Sequence, residues 1–308
     1  MNTTSESAQG YLPDPRNEDV LVYVNGEFFS RQEARVSVFD SGFVLGDGIW
    51  EGLRLVKGKL ISLEAHLDRL FEGASSIALN IGLTREQIAA AMYATLERNQ
   101  MTDGAHLRLM ITRGMKKTPN QDPRFVIGGA TVVIVAEFKT PKPEARAKGL
   151  SLLTSTFRTS SPDVFDLRLN SHSRLNLIQA LIQAINAGAD EALMLDPRGF
   201  VASCNSTNFF IVRKGELWTS TSAYSFKGIT QQKVLDVWRA DGRIAKECDF
   251  TLAQVYSADE AFVTGTLGGV TPIVRIDGRV IGDGKPGPLS QAASDLYLNA
   301  VTDSSAGS

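Results

Sequence analysis

Alternation of apolar and polar positions in the first half of the chain predicts antiparallel strands. Val20–Val24 and Glu27–Phe29 flank Asn25-Gly26, a dipeptide that favours the two-residue turn of a hairpin. Every second residue of Leu107–Thr112 is apolar, and Thr131–Phe138 is rich in β-branched residues. Both segments are therefore predicted to be strands.

Helical spacing of apolar residues predicts two helices between these strands. The first carries leucines and a phenylalanine from Leu63 to Phe71, with Ser62 as its expected N-cap. On this helix His66 and Arg69 are three residues apart and share a side. The second helix begins with the capping-box pattern Thr84–Gln87 and continues to about residue 99.

The second half alternates short strands with helices. Strands are expected at Leu150–Phe157, Glu191–Leu195, Asn208–Val212, Leu217–Thr219 and Ala258–Thr264. The helix that follows the segment Asp166–Asn176 is predicted to present the apolar face Leu175, Ile178, Ile182 and Ile185. Another helix begins near Gly228, with Val234, Leu235 and Trp238 on one side. This order predicts an α/β fold, and 308 residues are comfortable for two domains.

The domain boundary is placed at Thr140–Lys148, which has two prolines, four charged residues and little to bury. The predicted organisation is a flexible tail (1–17), a small α/β domain (18–139), the linker (140–148), a large domain (149–302) and a second tail (303–308).

Composition excludes several classes of protein. The chain is 43% apolar and 21% charged with a net charge of −2, so nothing indicates a nucleic-acid or membrane-surface partner. No apolar run reaches the roughly 18 residues of a membrane span, and residues 1–17 lack a signal-peptide core. Cys204 and Cys248 are expected to be reduced thiols, and the scattered His and Cys residues show no metal-ligand spacing. A cytoplasmic protein without a metal is expected.

Two segments have the features of anion sites. Ile229 and Thr230 fall at the start of a predicted helix, where unpaired N–H groups and the helix dipole favour negative charge. The glycine-rich turn that begins at Gly265-Thr266 can form a backbone nest with a hydroxyl beside it.

Several ordered motifs between about Leu21 and Tyr297 resemble one family. They are Tyr23-Val-Asn-Gly26, Gly46-Asp-Gly-Ile-Trp-Glu-Gly52, His66-Leu-Asp-Arg-Leu70, Asp190-Glu-Ala-Leu193, Asn208-Phe-Phe210, Gly228-Ile-Thr230, Ala258-Asp-Glu-Ala-Phe262 and Thr264-Gly-Thr266, with the variant Ser-Arg-Leu-Asn176. In this order they look like branched-chain and D-amino-acid aminotransferases of class IV, the fold type IV pyridoxal-phosphate enzymes.

The resemblance implies a fold, a cofactor and a set of site residues. A small N-terminal α/β domain and a larger barrel-like C-terminal domain would enclose the site, in a homodimer. The cofactor, pyridoxal or pyridoxamine 5'-phosphate, would be held through Arg69, Ser203, Asn208, Ile229, Thr230 and Thr266. Leu267 and Gly268 would lie in the turn that meets the carboxylate of a small amino or keto substrate.

Two positions depart from the family pattern. Asn170 stands where the family has the lysine that forms the Schiff base, and Ser203 stands where a glutamate meets the pyridine nitrogen. An amide is neither a nucleophile nor a useful base, and a hydroxyl cannot hold a proton on the ring as a carboxylate does. Loss of a positioned general base typically costs about 10²–10⁴ in rate, so ordinary transamination is expected to be impaired or independent of lysine.

Alternative explanations involve neighbouring residues. An engineered substitution would explain Asn170 but not Ser203, whereas natural divergence explains both. Lys227 precedes a phosphate motif and could replace the lost lysine, or be a surface charge. If residues 170–172 are extended, His172 points to the same side as Asn170. Its imidazole could then shuttle a proton, or have only a structural role.

Three functions remain open from the sequence. The first is an aminotransferase-family enzyme with rerouted or impaired proton transfer. The second is a cofactor-free lyase, isomerase or hydrolase that reuses the pocket, and the third is a non-catalytic binder of a phosphorylated ligand. The sequence does not specify the substrate.

Overall fold

The computed structural model describes residues 7–303, with side chains through Thr302. The strands are β1 Tyr11–Leu12, β2 Leu21–Val24, β3 Glu27–Ser30, β4 Gly48–Val56, β5 Lys59–Leu60, β6 Ala105–Thr112, β7 Thr131–Phe138, β8 Thr140–Pro141, β9 Leu150–Thr154, β10 Glu191–Leu195, β11 Val201–Cys204, β12 Asn208–Arg213, β13 Glu216–Thr219, β14 Ala245–Glu247, β15 Glu260–Gly265, β16 Gly269–Ile276 and β17 Arg279–Val280. The α-helices are α1 Ser41–Leu45, α2 Leu63–Ser76, α3 Arg85–Arg98, α4 Pro143–Lys148, α5 Leu175–Asn186, α6 Ile229–Ala240, α7 Leu252–Tyr256 and α8 Pro288–Asp303. Short 3-10 turns lie at Pro15–Glu18 and Pro123–Phe125.

The chain divides into two compact units. The small unit contains residues 13–140 and 169–174, and the large unit contains 7–12, 141–168 and the described residues from 175 onward. The short segment 169–174 therefore belongs to the small unit although the sequence on both sides of it belongs to the large one. Whether 18–139 and 149–302 are independent domains stays a prediction.

The small unit is built on a six-stranded antiparallel sheet. Its strand order is β3-β2-β7-β6-β4-β5, and α2 and α3 pack on it. The side chains of Leu107, Leu109 and Ile111 alternate into the core and are almost fully buried, as the apolar pattern of β6 predicts. The predicted hairpin of β2 and β3 is confirmed.

Helix ends in the small unit agree with the sequence in one case and differ in the other. At α3 both bonds of the capping box form, since Thr84 N–H donates to Gln87 Oε1 at 2.8 Å and Gln87 N–H donates to Thr84 Oγ1 at 3.3 Å. The prediction that Ser62 caps α2 through its side chain is wrong. Ser62 has a φ of 54°, and in this left-handed conformation its hydroxyl makes no capping bond.

The large unit is built on a nine-stranded mixed sheet. Its strands follow the order β11-β10-β9-β16-β15-β12-β13-β14, with β17 beside β16. Strand β9 is parallel to both neighbours, whereas β12, β15 and β16 are antiparallel. On α6 the predicted face of Val234, Leu235 and Trp238 is buried. The α/β class is thus confirmed.

Three sequence predictions in the large unit need correction. The apolar face of α5 is largely exposed: Leu175 is 68% exposed and Ile178 is 50% exposed. The helix instead packs on β10 through the small residues Ala180 and Ala184, which allow close approach to the strand.

The expected linker and N-terminal tail also have regular structure. Thr140–Lys148 contains β8 and α4, because Pro143 is at the first turn of a helix, where its missing N–H costs nothing. Within the expected tail 1–17, residues 7–17 contain β1, and Ala8 and Asn17 are buried. Residues 1–6 lie outside the described part of the chain, as does nearly all of the expected tail 303–308. No helix within residues 7–303 is both long and apolar enough to cross a bilayer.

Candidate functional site

Glu51 is the centre of a buried polar cluster in the small unit. It lies in the middle of β4 with 1% of its surface exposed. On the adjacent α2, Arg69 donates through Nε and Nη2 to the two carboxylate oxygens at 2.8 and 2.7 Å. His66 Nδ1 lies 2.6 Å from Glu51 Oε2. The helical spacing noted in the sequence therefore brings His66 and Arg69 to one carboxylate.

Residues 169–174 bring Asn170 to the same carboxylate. The segment is extended beside the start of β4, since Trp50 N–H donates to Asn170 O at 2.9 Å and His172 N–H donates to Gly48 O at 3.0 Å. This pairing holds Asn170 so that its Nδ2 donates to Glu51 Oε1 at 3.4 Å.

Two further arginines make this region strongly basic. Arg174 donates through Nη2 to Asn170 Oδ1, and the guanidinium of Arg108 lies 3.3 Å from the centre of the Trp50 ring. We call Glu51, Asn170 and the arginines 69, 108 and 174 the arginine cluster. Three guanidinium groups face one carboxylate, so the cluster has excess positive charge and suits an anion.

Burial and charge set the protonation states in the cluster. Burial by itself would raise the pKa of Glu51, but hydrogen bonds from Arg69 and His66 outweigh it and leave the pKa lowered. Burial lowers the pKa of Arg108 and of Arg174 to about 10, and repulsion from Arg108 contributes at Arg174. At neutral pH the carboxylate is therefore ionised and both guanidinium groups remain charged.

His172 lies in the same segment with an unusual imidazole. Burial, and then the charge of Arg108, lower the pKa of His172 to about 4. Within residues 7–303 its Nε2 is buried without a hydrogen-bond partner. The ring is thus a neutral base at pH 7, and its role as a proton shuttle stays a prediction.

In the large unit the start of α6 has free capacity for an anion. The N-cap Gly228 has no side chain and offers no acceptor to the N–H groups of Ile229 and Thr230. A Cβ on Gly228 would lie 2.0 Å from Asn208 Oδ1, so the close approach of helix and strand requires glycine. Asn208 is fixed by donating through Nδ2 to Phe226 O at 2.7 Å.

The turn between β15 and β16 lies in the same unit. It consists of Thr266, Leu267 and Gly268, and the pairing of Gly265 with Gly269 closes it. Just before it Thr264, which pairs with Asn208 across the sheet, has a buried hydroxyl with no hydrogen-bond partner among the described residues. Buried polar groups in native proteins normally have a partner, so this unpaired hydroxyl indicates a place for a ligand.

The structure distributes the residues predicted from sequence over both units. Arg69, Asn170 and His172 lie in the small unit. The large unit contains the rest: Ser203, Asn208, Ile229, Thr230, Thr266, Leu267 and Gly268. Ser203 is buried on β11. Within residues 7–303 no group of His, Cys, Asp and Glu side chains is arranged to hold a metal ion.

Sequence reasoning missed Glu51, Arg108 and Arg174 as site residues. Glu51 was part of a quoted motif, and a charged residue between apolar ones on a strand was its available signal. Arg108 alternates with the buried leucines of β6, which hid it as an ordinary exposed position. No lysine in the described part of the chain is hydrogen-bonded to Glu51 or Asn170.

Comparison with known proteins connects these residues to one family. The family model described as "Amino-transferase class IV" matches residues 48–276. The chain is 42% identical over 294 residues to the branched-chain-amino-acid aminotransferase-like protein 2 of Arabidopsis thaliana, covering 96% of this chain and 52% of that protein. It thus spans about half the length of this relative.

Two other proteins are similar over nearly their full length. One is a putative branched-chain-amino-acid aminotransferase of Methanocaldococcus jannaschii, 37% identical over 91% of this chain and 96% of that protein. The other is a solved structure of a branched-chain amino acid aminotransferase, from the source abbreviated T.th., with pyridoxamine 5'-phosphate. It superposes with a TM-score of 0.87 at 30% identity, over 92% of this chain and 95% of the other. The predicted fold is confirmed by this similarity.

Proposed function

The chain belongs to the class IV aminotransferase family, and from this membership we propose that it binds pyridoxal or pyridoxamine 5'-phosphate without a covalent bond. Its proposed substrate is a small amino acid, amine or keto acid. The observation that carries the proposal is Asn170: it occupies the expected lysine position inside the arginine cluster, and no described lysine is bonded to it or to Glu51.

The residues of the large unit fit a phosphate group. Ile229 and Thr230 offer first-turn N–H groups that the glycine cap leaves available, and the Thr264 hydroxyl is buried and unpaired among the described residues. Thr266 would add a hydroxyl from the turn. We propose Arg69 as a further phosphate ligand, because its motif resembles the family's and a guanidinium matches the geometry of a phosphate group.

The expected chemistry is limited by what the side chains can do. When bound, the cofactor supplies an electron sink for the substrate Cα. Asn170 can neither attack a carbonyl nor carry a proton, and Ser203 cannot keep a ring nitrogen protonated as a carboxylate does. His172 is the proposed proton carrier, since it is neutral at pH 7. A pKa of about 4 makes it a weak base, so slow turnover is expected.

The positive charge of the arginine cluster also favours an anionic substrate. Arg108 and Arg174 are held in a largely buried region, where a guanidinium attracts a carboxylate more strongly than in water. We propose that they attract the substrate carboxylate, and that Leu267 and Gly268 contact the same substrate.

Spectroscopy and mass spectrometry test this proposal together. Purified protein is incubated with pyridoxal 5'-phosphate, freed of excess, and examined by absorbance. It is then reduced with borohydride and mapped by peptide mass. We expect a cofactor absorbance band in the wild type but no label on the peptide containing Asn170. The double variant Asn170→Lys with Ser203→Glu is expected to gain a label at position 170 and faster transamination.

Two outcomes would contradict the proposal. A specific label on Lys227 or another lysine in the wild type would show that a different residue has taken over the covalent role. If neither the wild type nor the double variant takes up cofactor, the chain is a cofactor-free enzyme or a binder of another phosphorylated ligand. Titration with inorganic phosphate then distinguishes a retained anion site from a remodelled pocket.

We also propose that the protein is a homodimer. The small unit exposes an apolar surface formed by Phe39, Phe43, Met115, Phe125 and Ile127, of which Phe43 is 72% exposed. Backbone hydrogen bonds join its segments, from Lys116 N–H to Phe39 O and from Ile127 N–H to Met115 O. An apolar surface of this kind is typical of subunit contacts.

Light scattering after size-exclusion chromatography measures the assembly. We expect twice the chain mass of 33.4 kDa for the wild type and a shift to the monomer for Phe43→Asp. Val164→Asp is the matched control, because Val164 is a similarly exposed apolar residue outside this surface. A wild-type monomer would show the dimer proposal to be wrong.

A further inference from the structure

Ser7–Gly10 is anchored in the large unit by one buried carboxylate. Ala8 N–H donates to Glu191 Oε1 at 3.0 Å, and the Ser7 hydroxyl approaches the same oxygen at 3.5 Å. The Thr207 hydroxyl donates to Glu191 Oε2 at 2.9 Å. Glu191 is 1% exposed and Ala8 is 5% exposed. A residue next to β12 and the N-terminal segment are thus fixed by the same side chain.

The anchored segment covers the turn between β15 and β16. A Cβ added to Gly268 would lie 2.5 Å from Ala8 O, so the turn and the segment meet backbone to backbone. At the other end of the turn, a Cβ added to Gly265 would lie 3.2 Å from Gln9 Nε2. The side-chain amide of Gln9 has no hydrogen-bond partner within residues 7–303. It is therefore a donor beside the turn that has capacity for a ligand.

The segment itself has a defined conformation. Gly10 N–H donates to Ser7 O at 2.9 Å, which closes a tight turn, and Lys142 N–H donates to Gly10 O at 3.1 Å. These bonds fix the backbone on both sides of Ala8 and Gln9. Because the segment is held at both ends, Gln9 projects from a rigid support, and its use as a ligand costs little entropy.

We propose that Ser7–Gly10 is one wall of the anion site at Thr266–Gly268, with the Gln9 amide as a phosphate ligand and Glu191 as the positioning residue. The inference rests on the proposed function, because it assumes that this turn binds a phosphate group. It adds a residue from the N-terminal segment to a site otherwise made from β12, β15 and α6.

Ligand titration tests the role of Gln9. Gln9→Ala is expected to weaken binding of pyridoxal 5'-phosphate about fivefold, the usual effect of losing one hydrogen bond. Gln9→Glu is expected to weaken it further, because a carboxylate repels the phosphate. Gln291→Ala is the control, since Gln291 lies on the exposed side of α8 and bonds only to Asp295 among the residues described. Equal affinities in Gln9→Ala and the wild type would overturn the assignment of Gln9.

Hydrogen exchange tests the wall without any ligand. Deleting residues 2–10, or replacing Thr207 by Val, is expected to speed exchange in residues 264–269. Thr207→Ser retains the hydroxyl bond to Glu191 and is expected to restore slow exchange. Unchanged exchange in the deletion variant would show that the segment does not support the turn.

A double-mutant cycle tests the contact between Ala8 and Gly268. Gly268→Ala is expected to be tolerated better in the deletion variant than in the full chain, because the carbonyl that its Cβ meets is then absent. Gly129→Ala is the control glycine, with open space around its Cβ and no positive φ. Additive effects would refute the contact.

The tests separate this inference from the proposed function. If the full chain binds neither pyridoxal 5'-phosphate nor inorganic phosphate, the proposed function and the ligand role of Gln9 both fail. The exchange and double-mutant experiments still decide whether Ser7–Gly10 forms the wall. If the wild type binds the cofactor and the Gln9 and deletion variants bind it equally well, the inference alone is wrong.

Discussion

Replacing Glu51 by Gln perturbs the arginine cluster at its centre. The substitution keeps the shape of the side chain but removes the negative charge that Arg69 and His66 share. Removing one partner of a buried ion pair typically costs about 3–5 kcal/mol, because the other charge is left uncompensated. An amide still accepts one hydrogen bond from Arg69, so we expect about 3 kcal/mol, or a Tm lower by about 10 °C.

Urea unfolding followed by tryptophan fluorescence measures this loss. Trp50 lies under the guanidinium of Arg108, so its emission reports on the cluster itself. Glu137→Gln is the matched control: Glu137 also contacts two cations, Arg31 at 3.1 Å and Lys139 at 2.8 Å, but it is more accessible to water. Ion pairs of that kind contribute up to about 1 kcal/mol. If Glu51→Gln costs no more than Glu137→Gln, the reasoning about the cluster is wrong.

The pH dependence gives the same test a sign. The pKa of Glu51 is lowered in the folded protein, so its stabilisation is present above the unfolded value of about 4.3 and is lost as the pH falls through the folded value. The stability difference between wild type and Glu51→Gln is therefore full at pH 7 and shrinks in acid. A difference that grows in acid would contradict the assignment of Glu51 as an ionised hub.

Three further predictions concern other buried groups. Burial lowers the pKa of His172 to about 4 and that of His106 to about 3, so the unfolded chain takes up these protons first and stability falls as the pH drops from about 6.5; urea midpoints at pH 7 and pH 5 should differ less in His106→Asn, and an unchanged difference would contradict this. Gly228→Ala is expected to displace Asn208 and weaken pyridoxal 5'-phosphate binding about tenfold, measured by titration, whereas unchanged affinity would mean that the start of α6 is not used. Burial raises the pKa of Glu191, so its stabilisation is lost as the pH rises through the folded value; Glu191→Gln should therefore gain Tm relative to wild type between pH 5 and pH 8, and a relative loss would refute the sign.

Local patterns in the sequence predicted most regular elements because local interactions determine them. The hairpin of β2 and β3 follows from Asn25-Gly26, and the start of α3 follows from the capping box at Thr84. Strand β4 was not predicted, although Leu53 and Leu55 alternate into the core. Glycines and charged residues interrupt its apolar pattern, and glycine-spaced segments equally indicate turns.

Burial on α5 could not be predicted from apolar spacing alone. The periodicity correctly gives a helix, but the large residues Leu175, Ile178 and Ile182 are exposed while Ala180 and Ala184 pack on the sheet. The interior side is chosen by how closely helix and strand approach. That distance depends on the tertiary structure and is not encoded in a single segment.

Site residues were predictable where a motif carries them and not where pairing across the sheet creates them. Arg69 and Asn170 come from motifs that resemble the family. Arg108 enters the cluster because β4 and β6 pair with Gly52 opposite Arg108, and Glu191 binds Ala8 across 183 positions of sequence. Such long-range partners follow from strand register and from the folded path of the chain.

The arginine cluster explains why an amide is suited to position 170. Asn170 donates to Glu51 and accepts from Arg174, so it satisfies an anion and a cation at once. A lysine could donate to Glu51, but it offers Arg174 no acceptor and adds a positive charge beside it. Asn170→Lys is therefore expected to displace Arg174 and to give the new lysine a lowered pKa. A lowered pKa is a property that a nucleophilic lysine needs, so reversion would restore reactivity at the expense of the Arg174 contact, and the two residues are best understood as a matched pair.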